Sequence, residues 1–360
     1  MSVASEKVGV LVINFGEPDE PVLEKVEPFL ERIFLQNAGL EPSESGRARA
    51  KQLAADRAPG LIEEYEAIGG SPLNRQAEAQ AEGLERELAA RGWDVRSYTA
   101  YQFTDPTIAE AVRAARADGV ETLVAVPVYP ICGQSTTVAA LESVRAALDE
   151  EGWSPRFAGV SGWHHHPDYV RLRIDNIRSF ADAQGLDVTD PDTLLYFSVH
   201  GTPIKYLDEG NRYDRYVEEQ CRDIALALGT ERYGVGFQNH TNRRIAWTQP
   251  DNEDRIQEAS ERRLVVVPIS FMHEQSETLA ELDHELRAFV EGLGKEFHRV
   301  PVPHDAPGFA RFLGDLVEGL VSGPADATPP LAPCRCAPDA DIWCTNGARD
   351  LPPSPYATSS

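Results

Sequence analysis

The sequence is short of positive charge. Its 34 Lys and Arg face 58 Asp and Glu, a formal net charge of −24 over 360 residues. An excess of that sign argues against a general nucleic-acid binder and against attraction to an anionic membrane; it describes a solvated acidic surface. There is no run of about 18 apolar residues, so no membrane span is expected, and only peripheral membrane contact stays open. The N-terminal Met1-Ser2-Val3-Ala4-Ser5-Glu6-Lys7 is polar and lacks the apolar core of a signal peptide, so a cytoplasmic location is expected. Cysteine is sparse, with Cys132, Cys221, Cys334, Cys336 and Cys344 the full set. A disulfide framework is not expected in that compartment. Two common catalytic signatures are missing. "IGGSP" (68–72) has neither a phosphate-loop lysine nor the G-x-G-x-x-G spacing. His273-Glu274 runs into Gln275, Ser276 and Glu277, so an H-E-x-x-H zinc site fails.

What is present is an alternating chain with 42% apolar residues. Its length predicts two domains, because single cores rarely grow beyond roughly 250–300 residues. Strands are predicted at 8–15, 94–102, 121–129, 156–162, 193–200, 232–238, 263–271 and 296–302. Helices are predicted at 73–91, 106–118, 137–151, 212–228, 276–292 and 307–322. Val10–Ile13, Leu123–Val128 and Leu264–Ile269 are unbroken apolar runs. Such runs belong to parallel strands covered by helices on both faces. The expected fold is α/β, with two similar doubly wound domains, each on a parallel four-stranded sheet, and an active cleft between them. The expected divisions are 1–163, 164–322 and a cysteine-bearing tail, 323–360.

The halves echo each other. "LVAVPVYPICGQSTTVAALESV" (123–144) matches "LVVVPISFMHEQSETLAELDHE" (264–285) at an offset of 141, and "INFGEP" (13–18) fainter echoes "SVHGTP" (198–203). Phe15 thus holds the place of His200, and Thr136 the place of Glu277. One half offers an aromatic and a hydroxyl where the other offers a base and a carboxylate.

His200 ends a strand and precedes Gly201. A strand-end histidine is commonly a hydrogen-bonded structural residue, but the glycine admits an unusual backbone angle or a ligand's close approach. Glu277 starts a helix, and Glu274, Glu277 and Glu281 at i, i+3, i+7 would line one helix face. Such a row is ordinarily solvated; at a cleft mouth it could carry protons or hydrated cations. His164, His165 and His166 read as a surface loop, with metal binding the lesser option. In the Pro- and Ala-rich tail, Cys334, Cys336 and Cys344 form C-x-C-x7-C, which suits a metal centre needing a fourth ligand. Cys132, at a strand-to-helix corner, could supply it, while Cys221 looks like a packed thiol. Spacing leaves zinc and iron–sulfur as close competitors.

These segments together resemble one family, the ferrochelatases, which insert ferrous iron into a porphyrin. The resemblance spans nearly all of the chain to about residue 322. It rests on "NFGEPDEPVLEKVEPFLERIF" (14–34), "RAPGLIEEYEAIGGSPLNRQAEAQAEGL" (57–84), "YPICGQSTT" (129–137), "SVHGTPIKYLDEGNRY" (198–213), "FQNHTNRRIAWTQP" (237–250) and "VPISFMHEQSETLAELD" (267–283). The resemblance implies that His200 and Glu277 are the catalytic pair that handles the iron and the pyrrole protons. It implies that Phe15 and Trp247 line the porphyrin pocket, with Asn239 and His240 in a pocket segment that varies. Glu274 and Glu281 become the expected proton or metal path. A [2Fe–2S] cluster on Cys132, Cys334, Cys336 and Cys344 follows from cluster-bearing members. The "HGTP…EGNRY" form is similar to the branch using protoporphyrin IX rather than coproporphyrin III.

Two departures stand out. Gln102-Phe103 replaces a common Arg-Tyr, and Glu274-Gln275 a common Asp-His. Partners implied are porphyrin and ferrous iron, with a neutral imidazole at His200 as proton acceptor. The alternatives are a coproporphyrin III enzyme, a chelatase for another metal, and a non-catalytic porphyrin or haem carrier.

Overall fold

A computed structural model describes residues 6–40, 46–239, 245–322, 331–334 and 341–346. The chain forms two compact units. One groups Met1–Glu17, Leu73–Tyr169 and His304–Asp350; the other takes Pro18–Pro72 and Val170–Pro303. They are therefore not the consecutive blocks 1–163 and 164–322. The helical segment after the first strand belongs with the later sheet, and the last long helix with the earlier one.

The first unit is built on β1 (Val8–Asn14), β2 (Val95–Tyr101), β3 (Thr122–Pro127) and β4 (Arg156–Gly162), all parallel, in the order β2-β1-β3-β4. Every residue of β1 and β3 is buried, as two-sided helical cover demands. The helix Leu73–Ala90 turns Leu73, Ala77, Ala81, Leu84 and Leu88 inward at helical spacing. The helix Ile108–Ala117 starts from a capping box: Thr107 Oγ1 accepts the Glu110 N–H, and the Glu110 carboxylate accepts the Thr107 N–H.

This sheet has six strands rather than the four expected. β9 (Ala332–Pro333) and β10 (Ile342–Cys344) come from the tail, β10 parallel to β4 and antiparallel to β9. The described part of the tail has no core of its own and borrows one. Ile342 is buried over Gly159, where a Cβ would stand 2.9 Å from both Ile342 Cδ1 and Leu141 Cδ2. Arg145 holds Asp341 by an ion pair at the entry to β10. His164 and His166 are buried rather than on a surface loop, and the His166 ring stacks edge-on to Phe312 at 4.8 Å.

The second unit carries β5 (Thr193–His200), β6 (Tyr233–Gln238), β7 (Arg263–Pro268) and β8 (Glu296–Arg299), parallel in the order β6-β5-β7-β8. The two sheets repeat one topology down to single hydrogen bonds. Val128 N–H donates to Ile13 O at 2.8 Å, and Ile269 N–H to Ser198 O at 3.0 Å. Tyr101 N–H donates to Pro106 O at 2.9 Å, and Phe237 N–H to Pro250 O at 2.9 Å. These bonds equate Ile13 with Ser198, Tyr101 with Phe237 and Pro106 with Pro250. A π-helix follows β3 (Gln134–Val138), and another follows β7 (Glu277–Leu286). The halves differ in one connection. Gln102 to Pro106 is four residues and Gln238 to Pro250 is twelve, so the second half carries eight more, including His240 and Trp247.

Candidate active site

β5 delivers His200 to its carboxyl end, about a third exposed. Three contacts fix it. Its backbone N–H donates to Ser270 Oγ at 2.9 Å, its carbonyl accepts the Tyr213 hydroxyl at 3.0 Å, and Nδ1–H donates to Gly201 O at 2.6 Å. With Nδ1 engaged by a carbonyl, Nε2 is the working nitrogen. It lies 3.0 Å from Glu277 Oε1, at the head of the second π-helix. The sequence-predicted pair is therefore in contact.

Gly201 is required by the packing of the fold itself. A Cβ there would lie 1.7 Å from Asn239 Oδ1 and 2.9 Å from Gln238 O. The close approach in the folded chain is by the end of β6, and no left-handed backbone angle is involved. Asn239 itself knits this corner: its amide donates to Thr248 O at 2.6 Å and to the Asp251 carboxylate. Its amide nitrogen is therefore engaged within the protein. Trp247 is half-buried on the strip that pairs antiparallel with Pro203, two residues beyond Gly201. His240 lies outside the described residues.

The acidic row differs from the expected i, i+3, i+7 face. Glu274 precedes the helix and is consumed by structure. Both its oxygens meet Arg299 Nη1, at 2.8 and 3.1 Å, and it accepts the Val302 N–H at 2.8 Å and the Thr278 hydroxyl at 2.6 Å. Within the helix, residues four apart lie on one face. The aligned carboxylates are Glu277, Glu281 and Glu285, running from half-buried to exposed. Gln275 donates to Glu277 Oε2, and Gln238 Nε2 to Glu281 Oε2 at 3.0 Å.

The charges are strongly coupled. Burial acts to lower the His200 pKa, but the charge and hydrogen bond of Glu277, the Gly201 carbonyl and Glu281 lift it to about 9. Burial and the Glu277 charge push Glu281 up to about 8, against the opposing pull of the Gln238 hydrogen bond and of His200. Both groups are thus shifted toward their protonated forms, His200 by the acidic groups around it and Glu281 by burial beside Glu277.

In the first unit Phe15 stacks on Phe103 at 4.6 Å, against Leu73, Ala77 and Tyr101. Gln102 donates to Ser135 O at 3.2 Å and accepts the Tyr129 hydroxyl, so this departure from the family pattern is absorbed by the local fold. Cys132, Cys334 and Cys344 are buried. Cys344 and Cys334 share a hydrogen bond, Cys132 feels the charge of Cys334, and Cys344 that of Cys132. The register explains this: Cys344 pairs with Gly162, and a Cβ on Gly162 would lie 3.3 Å from Cys132 Cβ. Burial, then the neighbouring Cys334, pushes Cys132 up to about 12, and the Cys334 hydrogen bond with burial raises Cys344 further. The three sulfurs are not all within 4.8 Å of one another. Cys336 lies outside the described residues, and Cys221 is buried in the helix Tyr213–Ala227.

Residues 7–320 match the family model described as Ferrochelatase. The chain belongs to the ferrochelatase family. The ferrochelatase of a Picosynechococcus species is 35% identical over 324 residues, covering 86% of this chain and 82% of that one. The ferrochelatase of a Geobacter species is 29% identical over 325 residues, covering 87% and 98%. Among solved structures, SirB from Bacillus subtilis with Fe3+ superimposes with a TM-score of 0.51 at 10% identity, covering 88% and 98%, a likeness of fold. The tail strands lie beyond the matched family segment. Sequence reasoning missed Gln238, Tyr196, Ser198 and Asn252. Part of the signal lay in the repeat: Tyr196 and Ser198 stand where the first half has Leu11 and Ile13, and Asn252 where it has Ile108.

Proposed function

We propose that the chain inserts Fe²⁺ into protoporphyrin IX, releasing two protons and forming the iron–nitrogen bonds of protohaem. The contact of His200 Nε2 with Glu277 at the head of a carboxylate-lined π-helix carries this reading. Metallation needs acceptors for two pyrrole protons and a path that passes a dication without trapping it. Weak nitrogen and oxygen ligation at His200 and Glu277 suits release of iron to the ring, where thiolates would hold it. The resting site favours bound protons, because the surroundings of His200 and Glu281 raise both groups. An approaching dication disfavours those protons electrostatically. They leave along Glu281 and Glu285, and His200 Nε2 is freed to take a pyrrole proton. Glu285, exposed at the far end, is the exit. Glu274 is not on this path, since Arg299 holds it. Trp247, beside the His200 corner, is assigned to the porphyrin wall.

The test is anaerobic turnover of purified protein with Fe²⁺ and either porphyrin. Insertion into protoporphyrin IX is expected, and preference for coproporphyrin III would move the chain to the other branch. His200→Ala should abolish insertion while porphyrin still binds; near-normal turnover in that variant would sink the assignment. A porphyrin carrier would bind without turnover.

The reading includes a [2Fe–2S] cluster on Cys132, Cys334, Cys336 and Cys344. Its support is that Cys132, Cys334 and Cys344 are all buried, with Cys344 hydrogen-bonded to Cys334 and within electrostatic reach of Cys132. When bound, such a cluster requires thiolates and would fasten the tail to the first sheet. A cytoplasmic location is part of the same reading; among the described residues no helix is long and apolar enough to cross a membrane.

A further inference from the structure

The two sheets fill one equivalent place with opposite chemistry. In the first unit the positions are Leu11, Ile13 and Ile108, all in the apolar core. The matched hydrogen bonds of β1 and β5 place Tyr196 and Ser198 at the first two. The bridges Tyr101 to Thr107 and Phe237 to Asp251 place Asn252 at the third. The fold does not require polar groups here, and burying them costs free energy unless each is satisfied.

They are satisfied in a chain that leads to the carboxylate row. The Tyr196 hydroxyl donates to Asn252 Oδ1 at 2.9 Å, and Asn252 Nδ2 to Ser198 Oγ at 2.8 Å. Ser198 Oγ donates to Gln238 Oε1 at 3.0 Å. Gln238 Nε2 then divides its two hydrogens between Glu281 Oε2 and Glu277 O, each at 3.0 Å. Tyr196, Asn252, Ser198 and Gln238 are all buried. Room for the chain is made by Gly236, where a Cβ would lie 2.0 Å from the Tyr196 hydroxyl and 2.8 Å from Asn252 Oδ1. The first unit has Ala100 at that place.

The echo separates what the fold needs from what has been added. Gln102, the counterpart of Gln238, also donates to a carbonyl of its own π-helix, that of Ser135. Capping the π-turn is therefore common to both halves. The second hydrogen, reaching Glu281, and the polar chain behind it belong to the second half alone; the residue matching Glu281 in the first is Ala140.

We propose that Gln238 is a positioning residue for metal insertion, holding Glu281 in line with Glu277, and that Ser198, Asn252 and Tyr196 lock Gln238 in the one amide orientation that does so. An unlocked amide could flip and present its oxygen to the carboxylate. With the network in place, only the nitrogen can face Glu281, because Ser198 occupies the oxygen. The proposal rests on the iron-insertion reading. The groups facing Glu281 are Glu277 and Glu285 on its own helix and His200 from β5. Arg57 and Glu64, on the helix Gly46–Ile68, act on Glu285, and Arg255 and Asp251 act on the far end at Tyr196.

The test compares wild type, Gln238→Met and Tyr196→Phe, the last removing one oxygen at the far end of the chain. Iron insertion is followed across pH with porphyrin KM and kcat separated, alongside thermal unfolding. For Gln238→Met, kcat should fall roughly tenfold or more with KM for porphyrin little changed. The ascending limb of its pH profile should move to higher pH, because the lost N–H favoured the ionised carboxylate. Tyr196→Phe should show the same shift, smaller. Wild-type kcat and pH profile in both variants would overturn the proposal. So would a loss of kcat that merely tracks a fall in Tm with an unmoved pH profile. Failure of the wild type itself to insert iron would instead sink the underlying reading, and the proposal with it.

Discussion

At the scale of the residue, the site is defined by where protons sit before any substrate arrives. His200 and Glu281 have ordinary values of 6.5 and 4.5 and are lifted to about 9 and about 8 in the folded chain. Both shifts have the same sign. Between those limits the folded state holds protons that the unfolded chain has released, so stability must fall as pH rises. For Glu281 the stability is full below 4.5 and lost as pH passes 8; for His200 it is full below 6.5 and lost as pH passes 9. Urea midpoints of the unliganded protein measured across this window should decline steadily. Glu281→Gln should flatten the lower part of that decline. A flat wild-type profile would show that the two groups are not held protonated. Residue type was legible here: His200 and Glu277 stood out from the repeat. Proton occupancy was not, because it depends on 3 Å contacts between residues 77 positions apart.

At the scale of the element, the second π-helix decides which carboxylates align. The sequence pattern reads as an α-helix starting near residue 276 and puts Glu274 in the row. The helix begins only at Glu277 and Arg299 draws Glu274 into the protein, so the row runs through Glu281 to Glu285 instead. Arg299 is 8% exposed and bridges Glu274 at 2.8 Å and Asp283 on the helix. It ties the loop before the π-helix to the helix itself. Arg299→Ala leaves a largely buried Glu274 without its cation, and should cost about 3–5 kcal/mol by urea denaturation. Arg299→Lys should recover part of this but not the double contact, since only guanidinium spans two carboxylates with a planar fork. A variant of wild-type stability would remove this arginine from the support of the site. Nothing local in the sequence pairs residue 299 with 274. That contact follows from β8 lying beside β7.

At the scale of the whole molecule, an internal duplication has been made asymmetric. Each unit has the same strand order and a π-helix after its third strand, yet each carries different chemistry. The first sheet gains two strands from the tail, and with them the thiols of Cys334 and Cys344 beside Cys132. Purified protein should be brown, with the colour lost in Cys344→Ser or Cys336→Ser. Because the tail supplies strands as well as the thiols of the proposed cluster, loss of colour should be accompanied by faster proteolysis after residue 322. A colourless wild type with stoichiometric zinc would favour the rival metal.

The sequence by itself determined the fold class, the duplicated plan and the pairing of His200 with Glu277. Unbroken apolar runs demand buried parallel strands, and a repeat shows which positions have departed from it. Tertiary structure alone decided three further things: the start of the second π-helix at Glu277, which leaves Glu281 and Glu285 as the row behind it, the capture of Glu274 by Arg299, and the buried polar chain ending on Glu281. Each depends on atoms brought within hydrogen-bonding distance by strand order. Single-residue chemistry is written in the sequence, whereas the satisfaction of a buried polar group is a property of its neighbours.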